Sequence, residues 1–159
     1  MDQRLKDTGI VLSNRASRPD DLYGTISLHW YGITHTAEVI FEGTSLGHGP
    51  NELQIHSFCD LVMKWDDIQG SMKAGILRNR DRELSKCRLE SGSRGSPQDD
   101  SQLANRMALT GIVVSYMDGQ EWCNYIGLLA ECPWSPEHGI GIKIVNGQVV
   151  EIGYQDIVT

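Results

Sequence analysis

The side chains best equipped for chemistry gather in one short run. Glu131 and Cys132 are followed by Pro133, Trp134, Ser135, Pro136, Glu137, His138 and Gly139, which brings two carboxylates, a thiol and an imidazole close together. Three readings of this set are open. Carboxylate, imidazole and thiolate all bind zinc, but zinc takes three or four protein ligands. The remainder would come through the fold from His29, His35, His48 or His56. Alternatively, Cys132 and His138 form a nucleophile–base pair, although no orienting motif accompanies them. The third reading is structural. His138 hydrogen-bonds backbone groups of the loop, Gly139 lets the chain reverse and Trp134 plugs the end of a sheet.

Motif spacing favours the structural reading. The chain holds no H-E-x-x-H motif, and Cys59, Cys87, Cys123 and Cys132 include no C-x-x-C pair, which removes zinc-ribbon and thioredoxin-like chemistry. The expectation is therefore no catalytic residue, metal or cofactor, with Cys132, Trp134, His138 and Gly139 bracing a loop. The thiols fit a reduced compartment. The first residues, Met1 to Asp7, lack the apolar run of a signal peptide, and no stretch is long enough to span a bilayer. A cytoplasmic location follows as an expectation.

Charge narrows the partners. A net charge of −7 argues against direct nucleic-acid binding, which depends on phosphate neutralisation. From Met107 to Thr159 the only basic residue is Lys143, against Asp118, Glu121, Glu131, Glu137, Glu151 and Asp156. From Lys73 to Arg94 the balance is basic. An acidic lobe of this kind can steer a basic protein partner, or it can serve solubility.

The elements that would position these residues can be read in order. Ile10 to Leu12 could form a short strand, and Arg15 to Asp21 reads as loop. Leu22, Gly24, Ile26, Leu28 and Trp30 alternate with Tyr23, Thr25, Ser27, His29 and Tyr31, the pattern of a half-buried strand. A turn at Gly32 leads into a second strand from His35 to Glu42, completing a hairpin. A glycine-rich loop from Gly43 to Pro50 precedes a helix capped by Asn51. Phe58, Leu61, Val62, Trp65, Ile68, Met72 and Ile76 then recur at helical spacing, with a break near Trp65 marked by Asp66, Asp67 and Gly70. The second helix runs to about Leu89, its basic residues on a solvated face. Glu90 to Gln102 reads as a mobile low-complexity loop. Strands follow from Gly111 to Met117, from Tyr125 to Cys132, and on both sides of the Asn146-Gly147 turn. The prediction is one α+β domain over residues 1–159. Its antiparallel sheet consists of an N-terminal hairpin and a C-terminal four-strand meander, with a helical pair on one face. In the last hairpin, Glu151 falls on the face of Ile140, Ile142 and Ile144 unless a bulge shifts the register.

Several of these residues also carry a resemblance. They are Tyr125-Ile126-Gly127-Leu128, then Glu131-Cys132-x-Trp134-x-x-Glu137-His138-Gly139-x-Gly141, then Asn146-Gly147-x-Val149-Val150-Glu151-Ile152-Gly153. Together they resemble the C-terminal signature of an uncharacterised bacterial domain family found among, or beside, the immunity proteins of polymorphic-toxin systems. The likeness extends upstream to Asn51-Glu52-Leu53-Gln54. Related sequences often have Asp after the tryptophan where this chain has Ser135, which removes a possible carboxylate ligand. The resemblance implies a non-enzymatic immunity protein that binds a cognate toxin and covers its active surface; the acidic lobe suits a basic, nuclease-like one. Candidate contact residues are Asp118, Glu121, Glu131, Glu137 and Tyr154, with Asp66 and Asp67 as a second patch. A metal or thiol enzyme centred on Cys132, Glu137 and His138, and an accessory domain that forms a homodimer, are the alternatives.

Overall fold

The computed structural model describes residues 2–15, 17–44, 49–91, 106–115 and 125–159. Its elements are α1 (Gln3–Asp7), β1 (Ser13–Arg15), β2 (Arg18–Trp30), β3 (Ile33–Phe41), α2 (Glu52–Met63), α3 (Trp65–Ser91), β4 (Ala108–Val114), β5 (Tyr125–Glu131), β6 (Ile140–Val145) and β7 (Gln148–Gly153). A 3-10 turn over Gln155–Val158 follows. The strands form one seven-stranded sheet in the order β1-β2-β3-β4-β5-β6-β7.

This sheet corrects the expected architecture. It is mixed rather than antiparallel, because β3 and β4 run parallel, with Glu38 beside Gly111 and Phe41 beside Val114. Strands that are neighbours in a sheet and parallel need a crossover, and the helices α2 and α3 lie on it. The N-terminus was also misplaced. A short helix α1 comes first, Ile10 to Leu12 are not strand, and β2 begins at Arg18 inside the stretch read as loop. Alternation starts only at Leu22, so the exposed first turn of β2 gives no periodic signal. The expected mobile loop lies outside the described residues, apart from Glu90 and Ser91 at the end of α3.

Local chemistry accounts for the elements that position the site. Asn51 and Gln54 form a capping box at the start of α2, each side chain accepting from the other's backbone N–H, which satisfies orphan donors of the first turn. Buried Gln54 also donates to the Glu42 and Val114 carbonyls, joining the helix start to the ends of β3 and β4. The break near Trp65 is real: α2 ends at Met63 and α3 begins at Trp65. Trp65 donates its indole N–H to the His29 carbonyl at 2.5 Å.

One face of the sheet carries Ile26, Leu28, Trp30, Ala37, Val39, Phe41, Ile112, Leu128, Ile140 and Ile142, which pack in one core with Phe58, Leu61, Ile68, Met72 and Ile76 of the helices. The other face of β5 and β6 is covered by the terminal turn. A Cβ at Gly127 would lie 2.5 Å from Val158 Cβ, and one at Gly141 would meet the Tyr154 carbonyl. Glycine on those strands therefore lets the turn lie flat on the sheet. The ambiguity of the last hairpin is resolved by a bulge. Ile144 pairs with Val149 while Lys143 pairs with Glu151, leaving Val150 as the extra residue. Glu151 is thereby moved to the Lys143 face, and Ile152 faces the core opposite Ile142. Among the described residues, no helix is long and apolar enough to cross a membrane.

Candidate functional site

The loop after β5 is tied down at Cys132, Trp134, Ser135, His138 and Gly139. Cys132 is 4% exposed. Burial pushes its thiol up to about 11, against a smaller downward pull from the backbone N–H groups of Ser135 and Trp134. A thiol so placed stays protonated at neutral pH and is a poor nucleophile. Trp134 is buried and donates its indole N–H to Asn79 Oδ1 at 3.2 Å. Ser135 N–H donates to the Cys132 carbonyl, and Gly139 N–H to the Ser135 carbonyl at 2.8 Å. Gly139 has φ of +57°, and a Cβ there would lie 2.7 Å from the Ala130 carbonyl oxygen. From the terminal turn, Gln155 donates its side-chain amide to Ala130 O at 3.1 Å and its backbone N–H to His138 O at 3.2 Å.

His138 differs from its expected role. It braces the loop through its carbonyl, while its imidazole is exposed and rests beside the Tyr154 ring, centroids 5.0 Å apart. Glu137 is exposed. Among the described residues, no three His, Cys, Asp or Glu side chains cluster as a metal site; His48 lies outside them.

Behind the loop lies a polar cluster built on α3, whose basic residues the sequence reading placed on a solvated face. Tyr154 donates its hydroxyl to Glu83 Oε2 at 2.9 Å, and Lys86 Nζ donates to Glu83 Oε1 at 2.9 Å and to the Tyr154 oxygen at 3.1 Å. Arg82 Nε is 3.6 Å from the same Glu83 oxygen. Burial pushes the Glu83 carboxyl up, but hydrogen bonds from Lys86 and Tyr154 and the charges of Lys86 and Arg82 outweigh it, so the group sits below its ordinary range. Asn79 and Glu83 are both buried. The signal for them was present: they continue the stripe of Ile68, Met72 and Ile76 at helical steps.

A groove opens next to this cluster, between α3 and β7. It has a volume of about 440 Å³, with Arg78, Asn79 and Arg82 on the helix side and Val149 to Ile152 on the strand side. The residues singled out as contacts divide. Glu131 and Glu137 are exposed beside the braced loop, and Asp66 and Asp67 are exposed in the first turn of α3. Glu131 pairs with Ala108 at the start of β4, which is parallel to β3. The loop and the β2–β3 turn therefore share one end of the sheet, and the Trp65–His29 bond holds the start of α3 at that end. Tyr154 turns inward to Glu83. Asp118 and Glu121 lie outside the described residues; the strand ends that flank them, Val114 and Tyr125, are at the opposite end of the sheet.

Gly43-Thr44-Ser45-Leu46-Gly47 has the G-x-S-x-G spacing. In a nucleophile elbow the serine sits at the strand-to-helix turn itself. Here α2 starts at Glu52, after the Asn51 cap, and Ser45 is outside the described residues.

These features define a mixed-sheet protein of α and β elements, with a braced loop at one sheet end and a groove beside its edge strand. The chain belongs to the family described as Domain of unknown function (DUF6985), whose model matches residues 19–159. No curated protein and no solved structure matches it.

Proposed function

We propose that this protein is a cytoplasmic immunity-type binding protein that neutralises a cognate bacterial toxin effector by covering its active surface. The observation that supports this reading is exposed acids on fixed elements: Glu131 and Glu137 at the braced loop, with Asp66 and Asp67 in the first turn of α3 as a second patch. Carboxylates on fixed elements give a partner an oriented field without an ordering cost, and such a field raises association rates. With a net charge of −7, the favoured partner is basic, as a nuclease is. The resemblance of the loop and last hairpin to immunity-associated domains points the same way. The thiol-enzyme alternative is weakened by the buried, protonated Cys132.

The test is capture of partners by tagged protein in its own host, with the product of the adjacent gene included. The expected result is one stoichiometric partner that is toxic when expressed alone. Reversing Asp66, Asp67, Glu131 and Glu137 to Lys should slow association at low salt by about tenfold or more. An unchanged association rate for that variant would sink the assigned surface.

A further inference from the structure

We infer that the α3–β7 groove is a second recognition site, one that takes a short extended peptide segment of another protein carrying a single carboxylate side chain among aliphatic ones. Four observations carry this, and none involves Asp66, Asp67, Glu131 or Glu137. First, β7 closes the sheet on one side, and among the described residues no strand pairs with its outer edge. An edge strand offers a row of unpaired N–H and C=O groups to an added strand. The helix wall of α3 makes that edge one side of a channel rather than an open flank.

Second, donors face the channel without acceptors. Arg78 has no carboxylate partner among the described residues, and Arg82 touches only Glu83, at 3.6 Å, an acid already held by Lys86 and Tyr154. Asn79 is 4% exposed. The indole of Trp134 can only donate, so its bond fixes Asn79 Oδ1 as acceptor. The amide Nδ2 is then left as a buried donor with no partner among the described residues. A buried donor without an acceptor is costly, and an incoming carboxylate or peptide carbonyl removes that cost.

Third, the charge count selects the ligand. Two guanidiniums, Arg78 and Arg82, line the helix side. Glu151 lies on the sheet's other face with Lys143, and Arg82 is 3.6 Å from Glu83, so Arg78 is the groove's guanidinium without a carboxylate partner among the described residues. The lining therefore complements a monoanion, which a carboxylate is and a phosphate monoester, at about two charges, is not. Guanidinium forks also suit carboxylates geometrically. Fourth, the strand wall is apolar: Val149 and Ile152 line the groove, and Val150 is 57% exposed at the bulge. The bulge interrupts the edge, so the added strand is short.

The experiment is selection of displayed random linear peptides on the immobilised full chain, followed by fluorescence anisotropy with a synthetic copy of an enriched peptide. Enriched sequences should share one Asp or Glu beside aliphatic residues. Arg78→Glu, an exposed substitution that leaves the core untouched, should weaken binding by about tenfold or more. Methylating one backbone amide of the peptide should weaken it as well, because strand addition uses main-chain bonds. The inference is overturned by any of three results: no enrichment, enriched peptides indifferent to Arg78→Glu, or N-acetylglutamate binding as tightly as the peptide. Arg78-dependent self-association in sedimentation would also overturn it, by making a second copy the occupant. The groove adjoins the braced loop, so Arg78→Glu and the fourfold Lys variant are each measured for both toxin and peptide binding, and the losses separate failure of this inference from failure of the proposed function.

Discussion

Replacing Trp134 with Phe isolates the bond that joins the braced loop to α3. The indole N–H is the donor to Asn79 Oδ1 at 3.2 Å, and the amide Nδ2 already lacks a partner among the described residues. After Trp134→Phe the whole Asn79 amide is buried and unsatisfied. Leaving a buried polar group unpaired costs about 1–3 kcal/mol, and the smaller ring adds about 1 kcal/mol of lost packing. The expected total is about 2–4 kcal/mol, a large share of the roughly 5–15 kcal/mol that holds a domain folded. In a chain of this size that lowers Tm by roughly 4–16 °C. Urea denaturation should show a lower midpoint with an unchanged slope. Asn79→Leu alone strands the indole N–H and should cost about 1–3 kcal/mol. The double variant removes both partners, so its cost should fall short of the sum by about 1–2 kcal/mol. Trp30→Phe is the control, because the Trp30 indole N–H has no hydrogen-bond partner among the described residues. Costs at positions 79 and 134 that add to within about 0.5 kcal/mol would refute the coupling.

Further outcomes follow from the same geometry. Glu83 has its carboxyl held below the ordinary 4.5, so its stabilisation is present above that pH and disappears as pH falls through the lower folded value. Denaturation of wild type and Glu83→Gln should therefore show the largest stability gap near neutral pH and a shrinking gap in acid. Gly139→Ala combines positive φ with a clash against the Ala130 carbonyl, whereas Gly147→Ala, at φ of +73°, meets nothing within 4 Å. Both should destabilise, the second by about 1–2 kcal/mol and the first by more, as thermal melts can rank. Cys132, with its thiol near 11, should resist iodoacetamide at neutral pH until the chain unfolds, which peptide mapping by mass spectrometry can follow.

What could be read in advance depended on whether the determinant was local. Alternation in β2 and β3, the Asn51 cap, the break near Trp65 and the Asn146-Gly147 turn are all set by neighbours in sequence, and each fell where residue patterns put it. Which strand lies beside β3 is not local. The apolar faces of β3 and β4 suit parallel or antiparallel pairing equally, and only the crossover decides. The site shows the same division. Trp134 and Gly139 were legible as bracing residues from their types, but their partners Asn79, Ala130 and Gln155 come from distant elements. The basic residues of α3 read as a solvated face, and residue type does not set the acid among them apart. Glu83 is buried nonetheless, since Tyr154 and Lys86 supply the bonds that make burial tolerable.

The single parallel pairing gives the molecule a seam. On one side, β1 to β3 pair with sequence neighbours; on the other, β4 to β7 do the same. Each half is a local ladder able to form quickly, whereas joining Val39 to Ile112 must wait for the helical crossover to close a long loop. Folding should then be paced by the seam, and truncating Val39 or Ile112 should slow refolding more than equal truncations within either half. The same seam is where the chain could be cut: two separately expressed fragments, each keeping its own ladder, would have one junction to rebuild.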